Sequence, residues 1–398
     1  MKGEIAIVGY GETPVSRGRE SRGEKKMGWQ EYMAWAAEIA LKSANLTKKD
    51  IDGQGMAVTR IMPSPMFFGG EVAENLGITP KLIINADHGG ASGTAMLAQA
   101  AFAVKSGIVD YVLCIAAEAP MSMLGGFTYP SADGHRRDFE NPFGVMGPNS
   151  IFAMVAARYT YEYKLTAEQT GKVAITQRNH ANLNPNAYFY KQSINMDDYL
   201  NSRMISEPFR LLDCVMPVNG GLAFVVTTAE RAKKMTDKPV YILGYGECDN
   251  YYGGSRNRPD ITTMGMKEAA SDALKMANKK PTNMQFLQPY DDYTIAVILQ
   301  LEAIGFAEKG KGGKFVEEND ISYKGVIPVN TGGGQISSGQ PGLAGGLVNL
   351  LEGVRQLRGE GGQRQIKNCA LGMVTGIGAL MYARNVNYNM SFVLGTEV

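Results

Sequence analysis

The run His88-Gly89-Gly90-Ala91-Ser92-Gly93 ends an apolar segment and opens a small-residue helix expected over Ser92–Ser106. A turn of this kind sets a side chain before a helix N-terminus, whose free N–H groups and dipole stabilise negative charge. Such mounts commonly carry a nucleophile, yet this one offers Gly89, Gly90 and Ala91. Ser92 beside His88 is one candidate nucleophile and base, although "GASG" lacks the G-x-S-x-G spacing of a nucleophile elbow. His88 reads either as a proton carrier or as a hydrogen-bonded core histidine. A second Gly-rich turn, "NTGGGQISSGQPG" at 330–342, precedes a helix running to about Leu357. With no thiol on either turn, the chemistry left to them is stabilisation of a developing anion by backbone donors.

The elements that position these turns come from an internal repeat. "IAIVGYGE" at 5–12 returns as "VYILGYGE" at 240–247, an offset of 235 residues from Ile5 to Val240. "AAEIALKSAN" at 36–45 returns as "AASDALKMAN" at 269–278, offset by 233 from Ala36 to Ala269. Two stretches in the same order with nearly the same spacing indicate a tandem duplication. The halves are placed at 1–235 and 236–398, with an insertion of about 118–219 in the first. Each half reads as a strand ending in Gly-Tyr-Gly, then an Ala-rich helix (about Glu31–Asn45 and Met266–Asn278). A further apolar stretch, a Gly-rich turn, a helix and another strand follow. This predicts an α/β fold with mainly parallel mixed sheets and the two turns as neighbours across a pseudo-twofold axis. Within the insertion, "TAEQ" from Thr166 signals a capped helix, and 124–149 a Gly/Pro/Asp-rich loop.

Bulk properties exclude several classes. The 398 residues exceed one ordinary core, with 44% apolar and 20% charged side chains. Forty basic against thirty-nine acidic residues give a net charge of +1, without the excess expected of a duplex nucleic-acid binder. No apolar run is long enough for a membrane span, and no leader pattern is visible, so the expected location is cytoplasmic. Cys114, Cys214, Cys248 and Cys369 show no zinc spacing. Cys114 and Cys369 read as reduced core thiols, and no metal site is expected.

Long collinear stretches resemble the thiolase superfamily across essentially the whole chain. They include "RNHANLNPNAYF" at 178–189, "RLLDCVMPVNGGLAFVVTTAERA" at 210–232, "PYDDYTIAVILQLEAIGF" at 289–306, "VNTGGGQISSGQPGLAGG" at 329–346 and "EGVRQLRG" at 352–359. The likeness is greatest to thiolases linked to sterol carrier protein and to steroid side-chain aldolases. It implies the duplicated thiolase fold (αβαβα layers), a homodimer core and coenzyme A thioesters as substrates, with no permanently bound cofactor. Thiolases place a cysteine in a C-x-S-G turn, where a helix N-terminus lowers its pKa. "GASG" at 90–93 puts Gly90 there. The family's G-H-P turn is Gly339-Gln340-Pro341, so Gln340 replaces its histidine. The H-D-C-F loop of the sterol-carrier-linked members is "YDDY", with Tyr290 for the histidine and Asp292 for the cysteine. The C-terminal cysteine turn is absent from "MVTGIGAL" at 373–380, which contains Gly378.

Without a nucleophile the scaffold cannot form an acyl-enzyme, whereas a retro-aldol cleavage needs only a base and donors for a thioester enolate. The resemblance therefore implies retro-aldol cleavage of a β-hydroxyacyl-CoA. An acyltransferase acting on a β-ketoacyl-CoA, or a silent CoA-ester-binding subunit, are the alternatives. Tyr290 would transfer the proton, with Asp292 as alternative base or orienting partner, Gln340 as a neutral donor, and Gly90 and Gly378 as backbone donors. His88 is a further candidate. Structural readings stand beside these: Tyr290 as a packed aromatic, Asp292 as an N-cap for the helix near Thr294, Gln340 as a cap of its own helix. His180 reads as structural. The mixed-charge loop "RGRESRGEKK" at 17–26 either meets a coenzyme phosphate or is a solvated face. "MPSPMFF" at 62–68 and "APMSMLGGFTYP" at 119–130 read as core, pocket lining or interface. Relatives of this type imply a small OB-fold partner bearing a zinc ribbon.

Overall fold

The computed structural model describes the chain except residues 20–22, 59–65, 124–133, 146, 250–259 and 382–384. Parts of the 17–26, 62–68, 119–130 and 124–149 stretches thus lie outside the described residues. In chain order the strands are β1 (Ile5–Glu12), β2 (Gly53–Ala57), β3 (Leu82–Ala86), β4 (Val112–Glu118), β5 (Met204–Ser206), β6 (Phe209–Arg210), β7 (Gly220–Thr228), β8 (Val240–Glu247), β9 (Leu287–Gln288), β10 (Leu371–Met381) and β11 (Asn385–Gly395). The helices that matter for the site are α1 (Trp29–Ser43), α2 (Ser92–Lys105), α3 (Ala167–Asn182), α4 (Met266–Ala277), α5 (Thr294–Ile304) and α6 (Val348–Leu357).

Nine strands are hydrogen-bonded in the order β3-β2-β4-β7-β1-β8-β11-β10-β9. Beyond β9 an isolated parallel bridge joins Leu287 to Val329. The order mirrors itself about the β1–β8 junction, where Ala6 faces Tyr241 and Ile7 faces Val240. Pairing is parallel for β2–β3, β2–β4 and β9–β10. It is antiparallel for the pairs made by β7, by β11 and by β1 with β8. The sheets are mixed as expected, but parallel pairs are the minority. The long last strand of each set returns antiparallel, β11 after only a short connection and β7 after the insertion.

Alternation along each strand sorts its side chains onto two faces. In β4, Val112, Cys114 and Ala116 join the inner cluster around α2 and α6, while Leu113, Ile115 and Ala117 join the outer cluster under α1. Helix α2 touches strands of both sets, α1 packs on the first and α4 on the second, so the layers run helix, sheet, helices, sheet, helix. Eleven residues of α2 are buried, consistent with a helix of mostly small apolar residues that has no continuous polar face. Every residue of α6 is buried too, and its charged ones are paired. Glu352 meets Arg355 at 2.6 Å, Arg364 at 3.0 Å and the Thr331 hydroxyl at 2.8 Å.

Burial alone would raise the Glu352 pKa, but Arg364 and Arg355 hold it at about 2. This stabilisation is complete above the ordinary value of 4.5 and is lost as pH falls through about 2. Glu352→Gln leaves Arg364 without its acid, since Arg355 alone retains Glu12 at 2.5 Å. Denaturant melts at neutral pH are expected to show a loss of about 3 kcal/mol.

The repeat has a packing cause. Gly9 and Gly11 of β1 lie against the backbone of Ala36, Ala40 and Ala44, and Gly244 and Gly246 of β8 lie in the same way against Ala269, Ala273 and Ala277. A Cβ on Gly9 would stand 2.6 Å from the Ala40 carbonyl oxygen, and one on Gly244 would run into that of Ala273. Each doublet thus needs its alanine row, which is why the two stretches recur together. Gly244→Ala is expected to lower stability by about 2 kcal/mol through overpacking. Gly70→Ala, whose added methyl meets no neighbouring side chain among the described residues, is the clash-free control in the same melts and should gain about 0.5–1 kcal/mol from its helical position.

The "TAEQ" signal is a true capping box: Gln169 N–H donates to the Thr166 hydroxyl at 3.3 Å and Thr166 N–H to the Gln169 side chain at 3.1 Å. Cys114 is a core thiol, whereas Cys369 lies in the connection before β10 and is only half-buried. Among the described residues no helix is long and apolar enough to cross a membrane.

Candidate active site

Strand β3 ends at Ala86, and a 3-10 turn over Gly89–Ala91 feeds directly into α2. Ser92 holds the turn: its hydroxyl donates to the Gly89 carbonyl at 2.7 Å and accepts from His88 N–H at 3.0 Å. With both roles spent on backbone, Ser92 is a clamp. The second Gly-rich segment crosses this turn backbone to backbone. A Cβ on Gly93 would lie 2.7 Å from the Gly346 carbonyl oxygen. On the other side β10 presses in, and a Cβ on Gly378 would run into the His88 carbonyl and stand 3.0 Å from Gly90 N.

Tyr290 sits between β9 and α5 on a backbone fixed from three elements. Its N–H donates to the Thr375 hydroxyl at 3.2 Å, and its carbonyl accepts from the Gln300 side chain at 2.7 Å. Asn349 donates to the Pro289 carbonyl at 2.5 Å. The phenol, in a residue only 5% exposed, occupies the space a side chain at position 90 would need. A Cβ on Gly90 would run into the Tyr290 hydroxyl and lie 2.6 Å from the Ile377 carbonyl oxygen. Gln340 turns its amide to this phenol at 3.4 Å and to the Gln335 side chain at 2.9 Å. Gln340 lies beyond the C-terminus of the short helix Gly334–Ser338 and bridges to the insertion at Pro217.

The two adjacent acids divide their work. Asp291 is fully buried and accepts from Gln335 N–H at 3.0 Å, Ile336 N–H at 3.3 Å and the Asn349 amide at 2.7 Å. It anchors the start of the Gly334–Ser338 helix, and burial raises its pKa to about 7 against the pull of those donors. Asp292 does not cap α5, whose N-cap is Tyr293 with no side-chain bond. One Asp292 carboxyl oxygen, Oδ1, is buried without a hydrogen-bond partner among the described residues. Burial, then the charge of Asp291, raises its pKa well above the carboxylate range. Cys214, passed over in the sequence, bridges Tyr293 beside this acid. Its thiol is pushed up to about 12 by burial and by Asp213 and Asp292, so it is a poor nucleophile.

His88 faces elsewhere. Its ring packs edge-on against Tyr388 at 4.7 Å. With Glu247 and Asp249 it forms a group whose ligand atoms lie within 4.8 Å of one another. Burial, then Asp249, pushes the Glu247 carboxyl up to about 7. Among the described residues no hydrogen bond or ring contact joins His88 to Tyr290, Asp292 or Gln340. His180 is buried, with Nε2 accepting from Tyr323 N–H and Nδ1 donating to the Asn330 carbonyl, both at 3.0 Å. Burial lowers its pKa to about 4, so it stays neutral.

Layered halves with paired Gly-rich helix starts and a buried Tyr–Gln–Asp cluster at their crossing define a thiolase-fold enzyme. Residues 251–388 match the family model described as thiolase C-terminal domain-like. The 17-hydroxy-3-oxo-4-pregnene-20-carboxyl-CoA lyase of Mycobacterium tuberculosis is 34% identical, over 90% of this chain and 92% of its own. An acetyl-CoA acetyltransferase of Methanothermobacter thermautotrophicus is 30% identical, over 94% and 96%. The solved Ltp2-ChsH2(DUF35) aldolase is 30% identical and superposes with a TM-score of 0.87, covering 100% of this chain and 98% of that one. The chain belongs to the thiolase superfamily.

Proposed function

We propose that this chain cleaves a β-hydroxyacyl-CoA by a retro-aldol reaction, without a covalent acyl-enzyme. The observation that carries the reading is the Tyr290 phenol standing in the volume a nucleophilic side chain at position 90 would need. The site holds a proton-transfer group where covalent catalysis would place a thiol. A base takes the proton of the β-hydroxyl, the Cα–Cβ bond breaks, and its electron pair passes into the thioester enolate. The enolate carbon then takes a proton, leaving a carbonyl compound and a shortened acyl-CoA.

Tyr290 faces the hydroxyl, with Gln340 donating beside it. Asp292, whose pKa burial and the charge of Asp291 raise well above the carboxylate range, is the alternative base. The 3-10 turn at Gly90 that leads into α2, with Gly378 against it, supplies donors for the enolate oxygen, since N–H groups at a helix start have no intrahelical acceptor. His88 takes no direct part in this reading. Similarity to a lyase and to a solved aldolase supports it. The substrate is a coenzyme A thioester, no metal or bound cofactor is required, and the core assembly is a homodimer. The aldolase it resembles is a complex with a DUF35 protein. This chain would accordingly act with a small OB-fold zinc-ribbon partner in the cytoplasm.

The test is incubation, with and without such a partner, against matched β-hydroxyacyl- and β-ketoacyl-CoAs with products read by mass spectrometry. Cleavage of the hydroxyacyl ester alone is expected. Thiolysis of the ketoacyl ester alone would overturn the reading in favour of an acyltransferase. Binding without turnover of either would favour a silent subunit.

A further inference from the structure

We propose that Arg17 is a substrate-specificity residue that binds a carboxylate on the acyl portion of the thioester. The inference rests on the reading of the chain as an acyl-CoA enzyme. The Arg17 guanidinium is packed between two thioethers, Nη1 at 3.8 Å from Met216 Sδ and Nη2 at 3.8 Å from Met121 Sδ. Its Nε–H is buried and has no partner among the described residues. Among the described residues no carboxylate pairs with it. Glu24, the acid of the same loop, accepts from the backbone N–H groups of Arg17 and Arg19 at 2.7 and 3.0 Å. Thioether sulfur is a weak acceptor, and a half-buried guanidinium with an empty Nε–H favours a planar oxyanion that accepts two N–H bonds at once.

The cradle is built. Ser16 and Asn219 exchange backbone bonds at 2.7 and 3.1 Å, fixing the residue before Arg17. The Asn219 side chain accepts from Met121 N–H at 2.8 Å and donates to the Ser122 hydroxyl at 2.8 Å, fixing one thioether. The other belongs to Met216, whose carbonyl accepts from Gln340 N–H at 2.7 Å. Arg17 is therefore linked through Met216 and Gln340 to the Tyr290 phenol. That proximity favours an anion on the acyl group over a coenzyme phosphate, which the whole pantetheine arm separates from the thioester. The ligand class is a dicarboxylic acid mono-thioester of coenzyme A.

The probes are succinyl-, glutaryl-, adipyl- and pimeloyl-CoA, each against its terminal amide, with free CoA, titrated calorimetrically into the full-length protein. Wild type is expected to prefer at least one acid over its amide by about tenfold or more, the range of a charged hydrogen bond. Arg17→Gln should reduce that preference to about one, and Arg17→Lys, which keeps the charge, should retain part of it. Equal binding of every acid and amide by wild type would overturn the proposal and leave the coenzyme A reading intact. Loss of free CoA affinity in Arg17→Gln, with the preference kept, would assign the guanidinium to a phosphate and overturn it as well. Failure of all thioesters to bind wild type would overturn both.

Discussion

Tyr290→Phe is expected to lower kcat on a β-hydroxyacyl-CoA by about 10²–10⁴-fold, the usual worth of a positioned acid or base. The substitution removes one oxygen and leaves the ring. The backbone bonds from Tyr290 to Thr375 and from Gln300 to Tyr290 are untouched, and the 3.4 Å contact with Gln340 is lost. Stability should move by less than about 1 kcal/mol. A turnover assay beside a denaturant melt therefore separates chemistry from folding. Unchanged turnover would remove Tyr290 from the reaction.

The second large effect comes from a methyl group. Gly90→Ala places a Cβ against the Tyr290 hydroxyl and 2.6 Å from the Ile377 carbonyl oxygen. Neither neighbour gives way easily, because Tyr290 is buried on a backbone held from three elements and Ile377 lies in β10. Overpacking should cost about 3 kcal/mol. The phenol must also move, and a shift of about 1 Å in a reacting group costs roughly 10²-fold in rate. If both substitutions act through the phenol, the double variant Gly90→Ala/Tyr290→Phe turns over no more slowly than Tyr290→Phe alone. Multiplied losses would mean that Gly90 matters for another reason.

What the sequence disclosed follows from which interactions are local or repeated. The Gly-Tyr-Gly and alanine stretches could be seen because the same backbone contact occurs twice, at Gly9 and Gly11 and at Gly244 and Gly246. The Thr166 box was legible because its two bonds span three residues. The meeting of Gly90 with Tyr290 was not, since the residues lie 200 positions apart and nothing in either segment marks the shared volume. Nor could neighbours in "YDDY" be told apart: Asp291 is fixed by Gln335, Ile336 and Asn349, all more than forty residues away. The place of His88 beside the glycines leaves it open between a proton carrier and a core histidine, and its ring turns toward Tyr388. The share of parallel pairing was overestimated because strand direction depends on connections, and the return of β7 and β11 leaves no mark in their composition.

The volume shared by positions 90 and 290 also limits how such a site can change over generations. A side chain at 90 displaces the phenol from its present place, so one pocket holds in working position a covalent nucleophile or this proton-transfer group, but not both. A lineage passing between the two chemistries must alter both positions. One order of events passes through a form with neither group, and the other through a form with two in collision. Either intermediate is poor at both reactions. Sequences on the two sides of that gap should therefore fall into separate groups, with Gly90 and Tyr290 changing together.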